Sequence, residues 1–186
     1  MHTKPVLLLL ALLLPGIAQA RLNVFACEPE WGALAEVLGG EDVRVFTATT
    51  ARQDPHHIQA RPGLIARMRR ADLVVCTGAE LEIGWLPLLL RKAHNGRVQP
   101  GRPGYFLAAN HVRLLERPAR LDRAEGDIHP LGNPHIQTDP HNIARVADAL
   151  AEHMEALDDA HADRYRQRLQ AFQDRWQQAI HRWEER

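Results

Sequence analysis

The chain has 186 residues, in which 23 Lys plus Arg balance 23 Asp plus Glu. That balance excludes the net basic field that draws a protein to nucleic acid or to an anionic membrane surface, and two cysteines exclude a disulfide-rich scaffold while permitting one bridge. Eleven histidines are the unusual feature, because neutral imidazole is the commonest side-chain metal ligand.

Residues 1–20 read as a secretory leader, with Lys4 in a weakly positive start, an apolar run from Val6 to Leu14, and Ala18-Gln19-Ala20 as a small-residue cleavage site. The run is too short to span a bilayer, so the expected mature chain starts at Arg21, lies outside the cytoplasm and does not insert in the membrane. Val24-Phe25-Ala26-Cys27 has the outline of a lipoprotein cleavage box, but Phe25 is bulky there and the segment reads better as a strand.

Four short apolar runs predict buried strands: Leu22 to Cys27, Val43 to Ala48, Leu73 to Thr77 and Tyr105 to Ala109. Between them lie helical patterns. Trp31, Leu34, Ala35, Val37 and Leu38 share a face that Gly39-Gly40 terminates, and Leu64, Ile65 and Met68 do the same within 62–71. Strands without polar alternation, joined by helices, predict an α/β fold with a parallel four-stranded sheet flanked by helices, whose ligands bind at the carboxyl ends of the strands.

The loop after the second strand carries Asp54-Pro55-His56-His57, and a longer loop leads to Asn133-Pro134-His135. Proline stiffens each turn, which suits a ligand on a rigid rim. From Asp139 the chain reads as helix, with Asp139 as N-cap and Pro140 in the first position, so His141 is expected to be an ordinary surface residue of the first turn. Farther on, Tyr165, Leu169, Phe172, Trp176, Ala179 and Trp183 recur at helical spacing and form a stripe that must face something, with a partner not evident in the sequence.

The segment DPHHIQARPGLIARMRRADLVVCTGAELEIGWLPLLL (54–90) resembles periplasmic metal-binding proteins of zinc and manganese ABC transporters: a Pro-His pair precedes a helix, an Ala-Asp-Leu-Val-Val strand, a Gly-x-x-Leu-Glu turn and a Trp-Leu helix. NPHIQTDPHN resembles their second histidine motif, and the order and spacing of the motifs hold from the leader to Arg186. The resemblance implies a metal held between two lobes joined by a long helix, with His56 and His135 as the ligands of the first lobe. It divides the chain into a leader (1–20), an amino-terminal metal-binding lobe (21–157) and a long linking helix (158–186), with a second lobe expected but not in these residues. Phe172, Trp176 or Trp183 would then be partly exposed, and the chain alone would bind zinc more weakly than a two-lobed relative.

Zinc prefers four tetrahedral nitrogen, sulfur or oxygen donors, so two histidines leave the site half built; His57, His129 and Glu80 are the further candidates. Asp122, Asp127 and His129 form a thin version of the acidic, histidine-bearing loop of zinc-selective members. Zinc is expected over manganese because imidazole-rich sites favour it, and the implied partner is a membrane permease. The resemblance also implies that the first and third strands are neighbours, which would bring Cys27 and Cys76 within disulfide reach. No nucleophile-base pair or phosphate loop is visible, and Glu80 and Glu82 merely lie near a strand end, so no enzyme is expected. The alternatives are an exported zinc hydrolase using His56, His57, His135 and a water, and a stand-alone metal buffer or truncated remnant.

Overall fold

A computed structural model describes residues 21–118 and 129–186. The leader and the loop acids Asp122 and Asp127 lie outside the described residues. Four parallel strands, β1 (Leu22–Ala26), β2 (Val43–Thr47), β3 (Leu73–Cys76) and β4 (Tyr105–Leu107), form one sheet in the order β2-β1-β3-β4. The helices are α1 (Pro29–Gly39), α2 (Pro62–Arg70), α3 (Leu86–Ala93), α4 (Pro140–Leu157) and α5 (Ala162–Glu184).

Both faces of the sheet are covered, which is why the central strand β3 is apolar throughout and β1 is broken only by Asn23, while β2 at the sheet edge carries Arg44 and Thr47. Leu22, Val24 and Ala26 of β1 and Leu73 and Val75 of β3 pack with Trp31 and Leu38 of α1, Leu150 and Met154 of α4, and Tyr165 and Phe172 of α5. The alternate residues Phe25, Val74 and Cys76 face Leu64 and Met68 of α2 and Leu89 of α3. The period of two therefore survives as a choice of face, although it is invisible as a polar pattern.

The strands end one or two residues earlier than their apolar runs. Residues 108–111 turn into a short 3₁₀ segment, while the Ala109 N–H still donates to the Thr77 carbonyl at 2.9 Å. Asp139 caps α4 as expected, its Oδ1 accepting from the His141 N–H at 2.8 Å. A break at 158–161 separates α4 from α5.

The α5 stripe has its partners within the chain, contrary to the expectation of an unmatched face. Tyr165 and Phe172 are buried in the core with α1 and α4, and the Trp176 indole donates to the Pro140 carbonyl at 2.8 Å. Only the end of the stripe is open, with Trp183 49% exposed. The other end is pinned by charge: Arg164 and Arg168 donate to opposite oxygens of buried Asp42 at 2.7 and 2.8 Å, and Arg168 also donates to the Gly39 carbonyl at 2.7 Å. Burial pushes the Asp42 carboxyl up, but Arg168, His161 and Arg164 more than offset this and hold it below the usual range.

Candidate metal centre

The sequence repeats one local device at Asp54-Pro55-His56, Asn133-Pro134-His135 and Asp139-Pro140-His141. Each time the Asx Oδ1 accepts the histidine N–H, at 2.9, 2.9 and 2.8 Å, and proline fixes the residue between. The tertiary fold then assigns them different fates.

His56 stands in the loop after β2, at the carboxyl end of the sheet. Its Nδ1–H donates to Asp54 Oδ1 at 2.7 Å, and the backbone and side-chain hydrogen bonds from His56 hold the Asp54 carboxyl below its usual range. An ionised carboxylate can only accept, so the proton is on Nδ1 and the Nε2 lone pair is presented outward. This is the carboxylate–histidine arrangement that fixes the tautomer and raises ligand basicity. Beneath the loop, the Trp85 indole donates to the Pro55 carbonyl at 2.8 Å. Gly84 lets the turn approach the His56 carbonyl, which a Cβ at 84 would meet at 2.9 Å.

The ring of His129 lies 5.1 Å from that of His56, with the Nε2 atoms 3.1 Å apart, and the His135 ring lies 6.5 Å from His56. The structure thus brings His56, His129 and His135 together. His57 faces solvent with its side chain 73% exposed, its nearest carboxylate Asp54 at 3.9 Å. Glu80 is exposed on a turn where Gly78, Ala79 and Glu80 all have positive φ, and among the described residues no hydrogen bond or ion pair joins it to the histidines. His141 is tied elsewhere, with Nε2 3.4 Å from Glu184 of α5.

Below the rim is an arrangement that sequence reasoning missed. Glu28 and Glu82 are buried together at the carboxyl ends of β1 and β3, where Thr77 N–H and Gly78 N–H donate to Glu82 at 2.8 and 3.1 Å. Thr77 accepts from the Trp31 indole at 2.8 Å and its hydroxyl donates to Glu28 at 3.2 Å. Burial first, then the Glu82 charge, pushes the Glu28 carboxyl well above its usual range; burial also raises Glu82, although hydrogen bonds from Glu28, Gly78 and Thr77 oppose it. Glu28 Oε1 is buried with no hydrogen-bond partner among the described residues, so its neutral form costs less to bury than its charged one. The Gly-x-x-Leu-Glu turn ends on Glu82, but nothing in the sequence pairs that acid with Glu28, which follows an apolar run.

An acid whose folded pKa is raised contributes stability that is fully present below its unfolded value and is lost as pH rises through the folded value. Glu28→Gln supplies the N–H permanently, so it should stabilise the protein above pH 5, by about 1.4 kcal/mol for each unit that the folded pKa exceeds the unfolded one. Urea unfolding at pH 5 and pH 8 checks this; equal pH dependence in both proteins would mean that Glu28 does not hold the proton.

Among the described residues the tightest group of donor atoms is Cys27, Cys76 and Glu82, within 4.8 Å of one another. Those sulfurs are joined as a disulfide with Cα atoms 4.8 Å apart and are fully buried, so they offer no thiolate to a metal. A cavity of about 700 Å³, lined by Arg21, Asn23, Asp72 and Arg97, opens at the amino ends of β1 and β3, away from the histidines. No described helix is long and apolar enough to cross a membrane.

Residues 24–186 match the family model described as the periplasmic zinc-uptake complex component A, ZnuA. Among curated proteins, the metal ABC transporter substrate-binding lipoprotein ScbA of Streptococcus cristatus is 20% identical over 82% of this chain and 47% of its own length. The manganese ABC transporter substrate-binding lipoprotein PsaA of Streptococcus pneumoniae is 23% identical over 83% of this chain and 48% of its own. The chain therefore spans about half the length of these relatives. Among solved structures, a crystal structure of ZnuA superposes with a TM-score of 0.67 at 24% identity, covering 85% of this chain and 55% of that one. The parallel sheet flanked by helices is shared with it.

Proposed function

We propose, from the premise that the chain belongs to the zinc-uptake component A family of metal-binding substrate-binding proteins, that it captures zinc at His56 and His135 and delivers it to the membrane permease of an ABC transporter. The family consists of substrate-binding proteins and not enzymes, so the ion is cargo and no hydrolytic water is required of it. In this reading residues 1–20 export the chain to the periplasm, 21–157 are the metal-binding lobe, and 158–186 are the helix linking it to further structure.

The observation that carries the reading is His56, whose Nδ1 is locked on Asp54 while its Nε2 is presented at the carboxyl end of a parallel sheet with His135 beside it. Imidazole nitrogen favours zinc, whereas manganese prefers carboxylate and water oxygen. The manganese named for PsaA is a property of that relative, and the donor set here is the ground for preferring zinc. Competition titration against a chromophoric chelator tests this: zinc should bind at least ~100-fold more tightly than manganese. Equal affinities, or a preference for manganese, would reject zinc as the cargo.

A further inference from the structure

We propose that His129 is a third imidazole ligand of the cargo ion and that it biases the site toward zinc against manganese. The inference rests on the metal-receptor reading above. Two nitrogens bound to one tetrahedral zinc at about 2.0–2.1 Å stand ~3.3 Å apart, and the centroids of two such rings ~5.2 Å apart. His56 and His129 show 3.1 Å between Nε2 atoms and 5.1 Å between rings, with the planes inclined at 32°. His135, at 6.5 Å from His56, has about 1 Å still to travel to the same relation. His129 is thus the residue already at the bite of a metal with His56, even though the sequence places it 73 positions away.

The chemistry of the contact agrees with that geometry. With the His56 proton on Nδ1, the His56 Nε2 lone pair accepts a hydrogen bond from His129 Nε2–H. A divalent ion entering between the two nitrogens takes the place of that single proton, His129 passes to its Nδ1–H tautomer, and both neutral imidazoles then present an Nε2 lone pair to the ion with no net change in protonation. A third imidazole strengthens zinc binding through nitrogen, a donor from which manganese gains least in the divalent affinity order.

The test uses the intact protein and its His129→Ala, His129→Asp and His56→Ala variants, titrated with zinc and with manganese and loaded with Co²⁺ for visible absorption. His129→Ala should lower zinc affinity about 100-fold and manganese affinity less than about threefold, with loss of the intense tetrahedral cobalt bands. His129→Asp should restore manganese affinity more than zinc affinity, because it replaces nitrogen by oxygen. If His129→Ala keeps both zinc affinity and the cobalt spectrum while His56→Ala loses them, His129 is only a hydrogen-bond partner: the proposal is overturned and the receptor reading stands. If His56→Ala also keeps its zinc affinity, the receptor reading falls and this inference with it. Circular dichroism on each variant separates loss of ligand from loss of fold.

Discussion

Alanine at His56 or His135 should each weaken zinc binding by about 100-fold to 1,000-fold, against less than about threefold for alanine at His141, because only the first two are ligands in the proposed centre and metal affinity depends on ligand count and geometry. All three histidines share the same Asx-Pro-His turn and the same backbone hydrogen bond. The contrast therefore isolates tertiary placement from local structure. The His56 and His135 rings meet edge-on, 6.5 Å apart, at the rim, whereas His141 lies in the first turn of α4 near Glu184 of α5. Calorimetric titration of the three variants decides the matter. Equal losses, or the largest loss at His141, would remove the assignment of the centre.

Removing the Cys27–Cys76 bond should be the largest single loss of stability in the molecule. The bond closes a loop with a sequence separation of 49, for which chain entropy gives about 4 kcal/mol, a value that strain or a compact unfolded state would reduce. Its Cα separation of 4.8 Å lies inside the usual window of roughly 4.4 to 6.8 Å for a disulfide. Unfolded, unreduced protein should contain no free thiol. Urea unfolding with and without a strong reductant, repeated on the double variant Cys27→Ala/Cys76→Ala, should show the same large drop in midpoint. Two thiols in the unreduced protein, or a midpoint indifferent to reductant, would show that the cysteines are not bonded in solution.

Much of the architecture was legible in the sequence because it depends on local signals. Runs such as Leu73-Val74-Val75-Cys76 between helical patterns point to a doubly covered parallel sheet, and Asp139-Pro140 marks the start of α4. His56 and His135 stand out from His141, which has the same Asx-Pro turn, by their place in loops and by the resemblance of their motifs. What could not be read depends on distant residues. The stripe of α5 looked partnerless because Trp31 and Leu38, which share its core, lie far upstream, and the proximity of His129 to His56 spans 73 positions. In the sequence Asp54 is a turn former beside Pro55; its second role, holding His56 Nδ1, is visible only in the side-chain geometry. Glu28 and Glu82 had no periodic signal, since a buried acid pair is specified by its surroundings rather than by spacing.

The position of β1 between β2 and β3 has a consequence for the order of assembly. Everything that sets Cys27 beside Cys76 lies within residues 22–76: β1, its pairing with β3, and the intervening β2 and two helices. A chain made from its amino terminus presents that segment first. Oxidation therefore needs nothing from α4 or α5, and the covalent loop can close while the helices that cover one face of the sheet are still being delivered. Once closed, the loop holds the carboxyl ends of β1 and β3 in register, so the later helices dock on a preformed edge rather than having to organise it.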